Sequence, residues 1–62
     1  MTLSFRQRGP ENKCLKTKLR YQGPVPVKGD WVTLEDGFAA DLVHDVMWDF
    51  SNPTVEVQVT LQ

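Results

Sequence analysis

Val55, Val57, Val59 and Leu61 recur at every second position, with Thr54, Glu56, Gln58 and Thr60 between them. A repeat of two puts successive side chains on opposite faces of an extended chain, so this stretch predicts a strand with one apolar and one polar face. Its β-branched residues pack well on a pleated surface and crowd a helix. Residues 13–21 repeat the scheme: Leu15, Thr17, Leu19 and Tyr21 are expected inside, and Cys14, Lys16, Lys18 and Arg20 outside. Trp31 to Glu35 reads as a third strand ending at Asp36-Gly37, a dipeptide that tolerates the positive φ of a tight hairpin. Met1 to Arg8, with Leu3 and Phe5 two apart, reads as a short N-terminal strand or arm within residues 1–12, closed by the turn formers Gly9-Pro10-Glu11-Asn12. Gly23-Pro24-Val25-Pro26 is an extended connector, because two prolines remove backbone donors.

Residues 38–50 admit two readings. In a strand, Phe38, Ala40, Leu42, His44, Val46, Trp48 and Phe50 share a face that His44 interrupts. In a helix capped by Asp36, Phe38, Leu42, Val43, Val46, Met47 and Phe50 form an apolar stripe, which would make the domain α+β. The strand is preferred, with a bulge near His44. A hairpin signal precedes the stretch, and Ser51-Asn52-Pro53 leads from it directly into the strongest strand.

The apolar rows of four or five such strands need one another, which predicts an all-β fold: a small SH3-like barrel or a strongly curled antiparallel sheet. The run Lys28-Gly29-Asp30-Trp31-Val32-Thr33-Leu34, followed by Asp36-Gly37, resembles the opening of SH3-like barrels, including the KOW type of ribosome and transcription proteins. Phe38-Ala39-Ala40-Asp41 stands where that motif carries a second glycine-rich segment. The resemblance implies a barrel and no particular function. Sixty-two residues make one small domain with a thin core. Cys14 is the only cysteine and His44 the only histidine, so no internal disulfide is available and a structural zinc would need carboxylate ligands. Packing or self-association must supply the stability. The free thiol, the absence of a long apolar run and the lack of a basic-then-apolar leader predict a cytoplasmic protein without a membrane span.

Charge is segregated along the chain. All seven Lys and Arg residues fall within the first 28 positions, where only Glu11 opposes them and the net charge is +6. The remaining residues carry seven carboxylates and no Lys or Arg. Lys16, Lys18, Arg20 and Lys28, with Tyr21 and Trp31, are candidates for a nucleic-acid surface of cations and stacking rings. The alternatives are a solvated strand face or cross-strand pairing with Asp41, Asp45 and Asp49, and a net charge of −1 weakens attraction to a polyanion. The three aspartates, four apart, are expected on one side of their segment, but about 13 Å between successive members on a strand prevents two from sharing one ion. His44 and Asp45 would point to opposite faces, and Cys14 lacks a nucleophile signature, so neither predicts catalysis. The expectation is a non-enzymatic protein-binding module that self-associates, without a cofactor, metal or small-molecule substrate. Nucleic-acid binding is the alternative, followed by an inhibitor that docks on a basic surface through Asp41, Asp45 and Asp49.

Overall fold

The computed structural model describes residues 1–35 and 39–62. The hairpin expected at Asp36-Gly37 and the placement of Phe38 lie outside the described residues. Five strands form one sheet: β1 (Thr2–Gln7), β2 (Cys14–Lys18), β3 (Trp31–Val32), β4 (Asp41–Asp49) and β5 (Glu56–Leu61). Their order is β2-β1-β5-β4-β3, and the sheet curls into a half-barrel. The fold is all-β, as expected, and the alternative of a helix over residues 38–50 is overturned by β4. The sheet is mixed because β1 and β5 pair in parallel while the other neighbours are antiparallel. Parallel neighbours require a long crossover, and here β2, β3 and β4 all lie between the two strands in sequence. Of the two readings of the N-terminal segment, strand or arm, the structure has the strand, and it lies inside the sheet.

The concave side of the half-barrel holds the core. Leu3, Phe5, Val43, Val57, Val59 and Leu61 are buried there, with Tyr21, Val25, Val32, Leu34 and Val46 packed against them. The three β5 residues are fully covered, and each contributes about 1.5–3 kcal/mol relative to an exposed position. Val57 and Val59 lie between Leu3 and Phe5 of β1 and Trp48 and Val46 of β4, so one row of apolar residues crosses three strands.

Two register shifts set which residues join that row. On β4, Val43 faces Leu61 and Asp45 faces Thr60, leaving His44 as the extra residue of the bulge. On β2, Lys16 faces Phe5 and Cys14 faces Arg6, so Leu15 is the extra residue. The β2 hairpin turns through Asn12, at φ 45°, with its N–H donating to the Gly9 carbonyl. After β2 the chain turns at Arg20, φ 53°, and Tyr21 comes back over the core, with its N–H on the Met1 carbonyl at 2.7 Å. Before β3, Asp30 N–H donates to the Val27 carbonyl, and Gly29 at φ 94° takes the third position of that turn, where a side chain would be strained.

Candidate functional site

The two outer strands of the half-barrel face each other across an open seam. Lys16 bridges it: its ammonium donates to the Leu34 carbonyl at 2.9 Å. On one side of the bridge lies a groove of about 310 Å³ lined by Gln7, Leu15, Lys16, Leu34, Glu35, Ala39 and Asp41. On the other lies a groove of about 200 Å³, where Lys16 and Lys18 stand over Leu3, Phe5, Tyr21, Pro26, Val32, Thr33 and Leu34.

This placement reverses the expected faces of β2. Lys18 lies opposite Leu3 and Lys16 opposite Phe5, so both lysines share the concave face with the core. Leu15 and Leu19, expected inside, are 38% and 75% exposed. The physical reason is the bulge at Leu15 and the turn at Arg20, which decouple the local alternation from the face it serves. Lysine tolerates the position because its aliphatic stem covers apolar neighbours while its ammonium reaches a polar partner. Tyr21 does lie against the core as expected, and its hydroxyl donates to the Pro24 carbonyl at 2.6 Å.

The remaining cationic and aromatic candidates do not converge. Arg20 and Lys28 occupy separate turns, Tyr21 is half-buried, and Trp31 is 67% exposed on β3, on the face opposite to Val32, which lines the groove with the β2 lysines. The aspartates are divided as well. Asp45 and Asp49 face Thr60 and Glu56, on the convex side. Asp41 faces Val32 and lines the seam groove with Lys16. The expectation that all three share one side fails because the extra residue at His44 changes the parity between Asp41 and Asp45. β2 and β4 are not neighbours in the sheet, since β1 and β5 lie between them, and of the three aspartates only Asp41 shares a groove with a β2 lysine.

Two polar clusters decorate the convex face. The Cys14 thiol lies 3.4 Å from the Thr17 hydroxyl and 3.9 Å from that of Ser4. Donation from Thr17, then from Ser4, lowers the thiol pKa; desolvation opposes this, and the Arg6 charge adds a lesser lowering. Asp49 accepts from both the backbone N–H and the hydroxyl of Ser51, at 2.9 and 2.6 Å, which lowers its carboxyl pKa. Among the described residues, no group of three His, Cys, Asp or Glu side chains is arranged to hold a metal ion. No described helix is long and apolar enough to cross a membrane.

Sequence reasoning placed Trp48 and Phe50 on one strand face but did not single them out together as a site. Trp48 and Phe50 stack with ring centroids 6.1 Å apart and planes at 12°, and they remain 46% and 70% exposed. The signal was present in their spacing of two, which extends the Val46 row beyond the covered part of the sheet. Met47, on the other face of the same strand, is 51% exposed. No family model, curated protein or solved structure matched this chain.

Proposed function

We propose that this chain is a non-enzymatic protein-binding module that self-associates, with Trp48 and Phe50 as the anchor of its contact surface. The observation that carries the reading is the exposed stack itself. Its two rings, Trp48 near the end of β4 and Phe50 directly after that strand, leave a broad apolar area in water, and aromatic anchors of this kind dominate binding energy at protein interfaces. On the opposite face of β4, Met47 is a further exposed apolar group, flanked by Asp45 and Asp49. Covering the stack also supports a domain whose own core is small.

Sedimentation equilibrium at tens of micromolar tests the proposal. The expected result is a mass above that of the monomer that returns to the monomer value when Trp48 and Phe50 are both replaced by Ala. A monomer mass throughout the concentration range, or an oligomer indifferent to the double substitution, overturns it.

A further inference from the structure

We infer that the seam beside β2 takes an extended acidic peptide as an added strand; the inference rests on the chain being a protein-binding module and names a second class of partner segment for it. The argument begins with backbone geometry. Gln7 N–H donates to the Lys13 carbonyl, just before β2, whereas Thr2 and Arg8 donate to the carbonyls of Val55, just before β5, and Leu61, so the odd residues of β1 address β2. Leu3 and Phe5 are therefore the residues bonded to Lys18 and Lys16. By alternation the N–H and C=O of Thr17 point to the outer edge of β2, where among the described strands none is paired with it. An open edge of this kind is the template for strand addition.

The side chains on that edge specify the added strand. Lys16 and Lys18 stand on its concave side, above the apolar floor of Leu3, Phe5 and Tyr21. A strand laid against β2 places alternate side chains next to these two ammonium groups, and carboxylates at those positions satisfy them. The intervening side chains fall on the other side, near Thr17 and the exposed Leu19, where β-branched residues fit. Glu35 and Asp41 line the far groove and repel carboxylates there, which places the acidic positions at the Lys18 end of the seam. The occupant is thus an extended segment with acidic residues alternating with β-branched ones. The other open edge, along β4, is less available because the Asp45 carboxylate already accepts from Val46 N–H at 2.9 Å.

The test is titration of the isotope-labelled protein with a short blocked peptide of alternating valine and glutamate, followed by amide NMR and hydrogen exchange. Shifts are expected at Lys16, Thr17, Lys18 and Leu34, with slower exchange of the Thr17 amide. N-methylation of the peptide at the amides facing β2 should abolish binding. A valine-lysine peptide should not bind, and Lys18→Met, which leaves the Lys16 bridge intact, should weaken binding about two- to fivefold. No saturable shift, equal binding of the lysine peptide, or shifts centred on Trp48 and Phe50 would overturn the inference. Sedimentation of the Trp48 and Phe50 variant reads a different edge of the molecule, so either proposal can fail while the other stands.

Discussion

Replacing Lys16 by Met should loosen the half-barrel without removing its cover, and replacing it by Ala should do both. The ammonium of Lys16 is the group that ties β2 to the segment after β3, through the Leu34 carbonyl at 2.9 Å. A hydrogen bond from a charged donor contributes about 1.5–3 kcal/mol when fully enclosed; the open grooves on both sides of this one bring it below that range, to about 1 kcal/mol. Methionine keeps most of the stem over Phe5, so that is the whole expected loss. Alanine also uncovers the methylenes beyond Cβ, worth ~0.8 kcal/mol each when fully buried and about 1 kcal/mol together for a half-buried chain. The expected destabilisations are therefore about 1 kcal/mol for Met and about 2 kcal/mol for Ala, against roughly 3–5 kcal/mol available to a domain of this size. Urea unfolding followed by circular dichroism, at a protein concentration that fixes the oligomeric state, measures both. An unchanged slope with midpoints falling in the order wild type, Met, Ala is the expected result. A Met variant as stable as wild type would show that the bridge contributes nothing, and a Met variant as unstable as Ala would show that the stem contributes nothing.

Leu61→Ala removes a fully buried side chain beside Val43 and should cost about 2–5 kcal/mol, leaving the domain largely unfolded by circular dichroism at room temperature. Gly23→Ala places a Cβ 2.5 Å from the Tyr21 hydroxyl oxygen, so the ring must leave its bond to Pro24; a lower melting temperature and altered Tyr21 ring resonances are expected, and an unchanged melting curve would contradict the placement. The lowered pKa of Cys14 means that its alkylation rate should rise at lower pH than that of a free thiol, and Thr17→Val should move the profile upward; coincident profiles would exclude the Thr17 hydrogen bond. Because the Asp49 pKa is lowered in the folded state, its contribution to stability is present above the unfolded value of 3.8 and is lost as pH falls through the folded one. Asp49→Asn should therefore flatten the acid limb of the stability profile, and an identical acid limb in both proteins would contradict this.

The periodicity of two in residues 54–61 and 13–21 was enough to place β5 and β2, and the interruption at His44 was enough to place a bulge, because both are properties of neighbouring residues. The segregation of charge was equally legible, and it survives as a basic β2 at one edge and acidic residues on β4 toward the other. What the sequence left open was phase. Alternation tells that two faces differ, while the hydrogen-bond register decides which face meets the core, and a single extra residue at Leu15 or His44 is enough to change it. That is why the lysines of β2 line the seam while Leu19 meets water, and why Asp41 parts from Asp45 and Asp49. The parallel pairing of β1 with β5 likewise joins the two ends of the chain, a contact no local pattern encodes. The open seam and the uncovered Trp48 and Phe50 stack exist only once the sheet has curled, since both are defined by where its concave side stops being covered.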